Sequence, residues 1–209
     1  RYDRPGSRKT DSTINIARVI RPGQYAAILK KENGLLWRKK STGRGGLSMI
    51  DPSVFVAPGA QVVGQVSIGA KSSIWFGSIV RADVDSVTIG RGCNVQDGAI
   101  IHVSRGFPVV LEDFVSVAHG AILHGCHIEE GVLVGMGAII LDGARVGRDT
   151  VVGAGSLVLE QTVLPPRTLV LGHPAHVVRE LTNEEVRSFR DTAYRYLEYA
   201  KRYLNQEWK

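Results

Sequence analysis

Residues 128–158 read IEEGVLVGMGAIILDGARVGRDTVVGAGSLV, and within them Ile128, Val134, Ile140, Val146, Val152 and Val158 stand six positions apart. An amphipathic helix repeats every 3.6 residues and a coiled coil every 3.5, so a strict period of six belongs to neither. It is the mark of a hexapeptide β-helix, in which three hexads make one triangular coil and each aliphatic anchor points inward onto its counterpart a coil away. Working back toward the N-terminus, the spacing runs through Val56, Val62, Ile68, Ile74 and Val80, resumes with Ile89, Val95 and Ile101, and resumes again with Leu111, Val117 and Leu123. These anchors predict an all-β domain of about six coils, a prism on the order of 29 Å tall at ~4.8 Å per coil.

Composition agrees with this reading. In 209 residues, 44% are apolar, 22% charged and only 7% aromatic, with 24 glycines. That is globular composition suited to many short strands, and it excludes a disordered chain or a collagen-like fibre. The 2 cysteines cannot build a disulfide framework. No stretch approaches the roughly 20 apolar residues that cross a bilayer. The chain opens on Arg1 rather than Met, which reads as a processed or trimmed start.

The net charge of +6 is unevenly distributed. Residues 1–50 hold 12 Lys/Arg against 3 Asp/Glu, a balance of +9, whereas the remainder holds 14 against 17, a balance of −3. We therefore divide the chain into a basic N-terminal arm (1–50), a hexapeptide-repeat β-helix (51–180) and a terminal helix (181–209). In the arm, a short helix is predicted over Gln24–Glu32. The cationic run from Arg38 to Arg44, beside Leu35, Leu36 and Trp37, suits an anionic lipid surface or a docking partner. Nucleic acid is excluded as a partner because no stacking aromatics interleave the basic residues. The terminal helix opens on a capping box, Thr182 with Glu185. Its apolar stripe is Val186, Phe189, Ala193, Leu197, Ala200 and Leu204, and Arg187, Arg190, Glu198 and Lys201 are predicted to be solvated.

Three of the 6 histidines lie close together, at 102, 119 and 124. When the two stretches that break register, around Asp85–Val87 and Arg105–Val110, are counted as expanded hexads, Val80, Ile101 and Leu123 open hexads on one face of three successive coils. Arg81, His102 and His124 directly follow them and form one column. Val95 and Val117 open hexads on a second face, with Asp97 and His119 in the second place after each and Gln96 beside Asp97. In a trimer, the first column of one subunit can meet the second column of its neighbour, so that three imidazoles converge. Three neutral histidines with an open fourth position are the ligand set of catalytic zinc, although the same side chains also serve as plain interface histidines.

The chain resembles the γ-class carbonic anhydrases over about residues 50–205. The resemblance is carried by R-A-D at 81–83, N-V-Q-D at 94–97, His102, H-G-A-I-L-H-G-C at 119–126, V-G-M-G-A at 134–138 and G-H-P-A-H-V-V-R-E-L at 172–181. It implies a left-handed parallel β-helix and a homo- or heterotrimer with γ-carbonic anhydrase paralogues. It also implies reversible hydration of CO2 to bicarbonate. His102 and His124 are implied to bind zinc (or iron or cobalt) from one subunit and His119 from the next. Gln96 is implied to hold the reacting hydroxide or bicarbonate, with Arg81, Asp83 and Asp97 forming a charge network at the interface. Two departures bear on proton transfer: Val84 follows the R-A-D motif where some members carry Glu, and the loop after His102 is the short Ser104-Arg105-Gly106, although Asp85 lies close by.

The basic arm and the R-E-L-T-N-E-E entry to the helix are most similar to the subunits attached to mitochondrial respiratory complex I. That likeness implies contacts with complex I membrane-arm subunits on the matrix side of the inner membrane, either as an anhydrase or as a weak or inactive assembly subunit. A free homotrimeric enzyme is the alternative. The competing class is the hexapeptide acyltransferase, which needs only one of the three histidines. His127, His173 and His176 are read as surface or turn residues, and Cys93 and Cys126 as packing residues. Tyr194 and Tyr196 fall where the family sometimes brings a helix-borne aromatic over the site.

Overall fold

The computed structural model describes residues 49–207. The basic arm up to residue 48, the short helix expected over Gln24–Glu32 and the cationic run Arg38–Arg44 lie outside the described residues. Within them, nineteen strands from β1 (Met49–Ile50) to β19 (Ala175–Glu180) precede one helix, α1 (Asn183–Leu204).

The inward anchors stack in register on three faces. On the first face Val56, Ile74, Val95, Val117, Val134, Val152 and Val170 pair in parallel, each one coil from the next. Val62, Val80, Ile101, Leu123, Ile140 and Val158 do so on the second. On the third the stack is Ile50, Ile68, Ile89, Leu111, Ile128, Val146 and Leu164. Ile74, Val80, Val95, Ile101, Leu123 and Ile140 are all 0% exposed. β-Branched side chains with few rotamers fill such a narrow interior at small entropic loss, which is why Val and Ile dominate the anchors. The fold is thus a parallel β-solenoid. Ile50, Leu164 and Val170 continue the six-residue spacing at its ends, so it makes about seven turns rather than six.

The two breaks in register resolve into features of one corner. Strand β5 (Ile79–Ile89) bends continuously from the second face to the third, with a shift against β3 (Gln61–Ile68) between Gly64 and Val66. One coil further on, Ser104 and Phe107 form a small bridge, and the Gly106 N–H donates to Asp85 Oδ2 at 3.0 Å. The expected tail, residues 172–181, supplies β19, which pairs antiparallel with β18 (Thr168–Gly172) at the end of the first-face sheet.

Helix α1 lies along the first face. Its capping box is formed as predicted: Thr182 Oγ1 accepts from the Glu185 N–H, and Glu185 Oε2 accepts from the Thr182 N–H. Val186 packs with Leu181 and Val151 on late coils, whereas Ala200 packs with Phe55, Ala57 and Trp75 on the first two. The helix therefore runs back down the stack. Its apolar stripe differs from the expected one at the C-terminal end. Tyr196 and Tyr203 join the Phe55–Trp75 cluster, with Tyr203 5.4 Å from both rings, while Leu204 is 52% exposed. Both tyrosine rings meet Trp75 edge-on, at 5.2 and 5.4 Å between centroids, a favoured aromatic geometry.

Arg190 is a second correction. Rather than being solvated, its Nε donates to Asp149 Oδ1 at 2.6 Å and its Nη2 lies 3.4 Å from Glu130 Oε1. Asp149 is nearly buried at a corner, so the cation on the helix neutralises a carboxylate that the fold has withdrawn from water.

At the start of the helix, hydrogen bonds from Arg179 and then from the Thr182 N–H hold the Glu185 carboxyl down to about 2. A carboxylate with a depressed pKa stabilises the fold above its ordinary value near 4.5, and that contribution is lost as the pH falls through about 2. We expect Glu185→Gln to be less stable than the parent at pH 6 by chemical denaturation followed by helical circular dichroism. The difference should shrink between pH 4.5 and 2 and vanish at the lower end.

Candidate metal centre

Each outward position is defined by its offset from an inward anchor. On the second face, the residue directly after the anchor points out, and Val63, Arg81, His102 and His124 pair in register there, the column that the hexad count predicts. His102 Nδ1 lies 3.0 Å from His124 Nε2. His102 Nε2 meets Asp83 Oδ1 at 3.0 Å, and Asp83 also pairs with Arg81. The Asp83 carboxyl is held below its usual range chiefly by the His102 hydrogen bond, with Arg81 adding to it.

The second column stands at the corner between the first and second faces. Phe76, Asp97, His119 and Met136 occupy equivalent turns, and each carbonyl accepts from a glycine N–H one coil on: Gly98, Gly120, Gly137 and Gly155, at 2.9–3.0 Å. Gly120 has φ +66°, a conformation in which a side chain strains the backbone, and this turn is what projects His119 from the corner. His119 Nδ1 lies 3.0 Å from Asp97 Oδ2, and its Nε2 is 3.3 Å from the Tyr196 hydroxyl. Tyr196 is thus the helix-borne aromatic at the site, its phenol pushed up to about 12 by burial and by the Asp97 charge. Tyr194 packs on Phe114 instead.

Gln96 is 3% exposed, under the helix. Its Nε2 donates to Asn94 Oδ1 at 2.9 Å, and Asn94 Nδ2 donates to Ser116 Oγ at 2.8 Å, a chain that fixes the orientation of the Gln96 amide. Asp85 does not face the histidines as a free acid, since Oδ1 accepts from the Ser86 N–H and Oδ2 from the Gly106 N–H.

The sequence reading includes Asn94 in the N-V-Q-D motif without giving it a role, and it does not single out Asp142. Asp142 Oδ1 lies 2.6 Å from His124 Nδ1. The signal was present in the spacing: Leu123 to Ile128 is five residues where six is the rule, and the shortened corner holds only Gly125 and Cys126, with Asp142 of the next coil beside Gly125. His127 pairs with Glu112 on the third face, 2.9 Å apart, and His173 and His176 lie in and beside the terminal hairpin. Cys93 and Cys126 are buried free thiols whose pKa burial pushes up to about 12, so neither is a ready thiolate.

The donor set fits a cation. With Asp142 taking the N–H of His124 and Asp83 the N–H of His102, the two ring nitrogens that face each other at 3.0 Å both present lone pairs. Only a shared proton or a metal ion makes that contact favourable, and two ligands on one tetrahedral ion at ~2.0–2.1 Å stand roughly 3.3 Å apart. Among the described residues of one chain, no three His, Cys, Asp or Glu side chains converge as a metal site.

A family profile described as "Bacterial transferase hexapeptide (six repeats)" matches residues 125–160. The chain is 54% identical over 149 residues to a "Probable carbonic anhydrase" of Methanocaldococcus jannaschii, covering 71% of this chain and 94% of that protein. The chain belongs to the γ-class carbonic anhydrases. It is also 40% identical over 167 residues to "Gamma carbonic anhydrase 2, mitochondrial" of Arabidopsis thaliana, with 77% of this chain aligned to 60% of that protein's length. Among solved structures, a putative acetyltransferase of Bacillus cereus superposes with a TM-score of 0.74 at 44% identity, covering 75% of this chain and 91% of that one. Members of this γ-class family carry a metal cofactor, in keeping with the donor chemistry of the histidine pair.

Gly120 has open space where a Cβ would stand, so replacing it isolates the backbone requirement. Gly120→Ala should cost about 1–2 kcal/mol in thermal or chemical unfolding, the penalty of left-handed backbone for a residue with a Cβ. Gly120→Asn, which tolerates that conformation, should cost less.

Proposed function

We propose that this chain hydrates CO2 reversibly to bicarbonate at a zinc site shared between subunits of a trimer, with His102 and His124 from one subunit and His119 from its neighbour; iron or cobalt are alternative occupants. The observation that carries this reading is the outward chemistry of the second face. Ile79 and Ile100 stand out from it in register with Ile122, Ile139 and Leu157, and the histidine column is bounded by the exposed Val63 below and by Leu141 and the exposed Leu159 above. The corner column likewise ends in Met136, 59% exposed. An aliphatic ladder of this length beside two imidazole columns is a surface to be covered by protein, and three identical chains around a threefold axis bring the face of one against the corner of the next.

Held there by His102, His119 and His124, zinc would bring the pKa of bound water to about 7 and so supply hydroxide at neutral pH. The chain's own residues do the remaining work. Asp83, Asp97 and Asp142 each hold one ring nitrogen of His102, His119 and His124, leaving the other nitrogen of each as the one that would bind a metal. Gln96, steadied by Asn94, orients the reacting oxygen or the bicarbonate formed from it. Arg81, Asp83 and Asp97 tie the interface by charge. Val84 is apolar and Asp85 is engaged by the backbone, so the proton leaves through solvent and the rate depends on added buffer.

The basic arm and the likeness to the Arabidopsis mitochondrial protein support a place on the matrix side of the inner membrane, against anionic lipid and the membrane arm of complex I. Each cation near such a surface contributes roughly 1 kcal/mol. In that setting the chain serves as an assembly subunit whether its turnover is fast or weak. The free homotrimeric anhydrase is the rival reading. The Bacillus cereus likeness keeps acyl transfer as a further one.

Two measurements test these readings. His119→Ala and His124→Ala should each lose metal and lower CO2 hydration by more than about 100-fold. Co-assembly of the two variants should restore part of the activity, because some interfaces then join an intact His119 to an intact His102–His124 pair. No recovery in mixed trimers rejects the shared site, and tight acetyl-CoA binding by calorimetry favours the transferase. For location, native electrophoresis of mitochondrial membranes should show the chain comigrating with NADH dehydrogenase activity. A soluble species of three chain masses leaves the free enzyme as the account.

A further inference from the structure

We infer that Asp142 is a positioning residue for His124, setting which of its nitrogens is free to bind the metal and how strongly. The inference rests on the proposed role of His124 as a ligand. Each of the three histidines has one ring nitrogen on a carboxylate, and the Asp142–His124 contact, at 2.6 Å, is the shortest of the three; those to Asp83 and Asp97 are both 3.0 Å. A carboxylate that accepts the Nδ1–H holds the imidazole in the tautomer whose Nε2 carries the lone pair, and it increases the basicity of that nitrogen. In this fold the Nε2 so directed is the atom that faces His102.

The local backbone is cut to admit this contact. The corner between Leu123 and Ile128 is one residue short, and its turn residue is Gly125, with φ +57°. A Cβ on Gly125 would overlap the Asp142 carboxylate and stand 2.8 Å from Phe107 Cβ. Phe107 thus closes the other side of the gap, and the carboxylate is left about one-fifth exposed beside the imidazole. A one-residue deletion in the coil, a left-handed glycine and an acid from the following coil combine at one point, and His124 is the ring they serve.

The test is zinc affinity of the assembled protein, by competition with a chromophoric chelator, for the parent, Asp142→Ala, Asp142→Asn and His124→Ala. Asp142→Ala should weaken binding by about 10–100-fold, the range for loss of an outer partner of a ligating histidine, and Asp142→Asn, which keeps the shape without the charge, by less. A nitrogen-detected NMR spectrum of the metal-free protein should show His124 as the Nδ1–H tautomer in the parent and shifted toward Nε2–H in Asp142→Ala; a purely structural role would not move this signal. If Asp142→Ala does not assemble, Asp142→Asn alone decides through the affinity. Unchanged affinity and tautomer in the Asp142 variants, with metal lost in His124→Ala, overturn the inference and leave the metal site standing. Unchanged affinity in His124→Ala overturns both.

Discussion

Everything in this molecule hangs on the vertical stacking of inward aliphatics, one per face per coil. A parallel ladder tolerates no slip by a single residue, because such a slip exchanges the buried and exposed sets along the whole strand. The stack of Val80, Ile101, Leu123 and Ile140 therefore does more than exclude water. It sets the height of each residue that follows an anchor, and Arg81, His102 and His124 inherit their alignment from it. The chemistry is placed by the core rather than by a flexible loop, the condition under which side chains are held to the tolerances that ligation requires.

The three faces share this interior and differ only outside. The first is covered by the chain's own helix, with small polar residues, Ser73, Asn94 and Ser116, beneath it and the aromatic cluster around Trp75 at one end. The third is polar and laced with ion pairs such as Arg145 with Glu129. The second is aliphatic except where Gln61, Arg81 and the two histidines interrupt it. One repeat thus produces a self-covered face, a wet face and a face that asks for a neighbour, and the outward residues alone distinguish them.

How much of this could be read from the sequence follows from which residues are tied to the period. The anchors are, so the solenoid and the two columns were legible; Ile50, Leu164 and Val170 obey the same spacing and extend it to about seven turns. Asn94 was hidden because its role runs sideways, through Gln96 and Ser116. Asp142 was hidden at a corner where the count is one short, and Arg190 because its partners Asp149 and Glu130 lie far back in the sequence. Pairings that cross from one element to another leave no periodic trace. The family likeness spoke for His102, His119 and His124, and was silent on the acid behind His124.

The helix has a consequence for the order in which the molecule can be completed. Its last turns cover Phe55 and Trp75, which belong to the first coils made. Each coil needs only its immediate predecessor, so the stack can grow as the chain emerges, with contacts of modest sequence separation. The aromatic end of the first face, however, stays bare until the helix has been made. Between the last coil and the helix, the nascent chain is a nearly finished prism with its aliphatic second face and the aromatic end of its first face open to the surroundings, a state in which a solenoid is prone to aggregate.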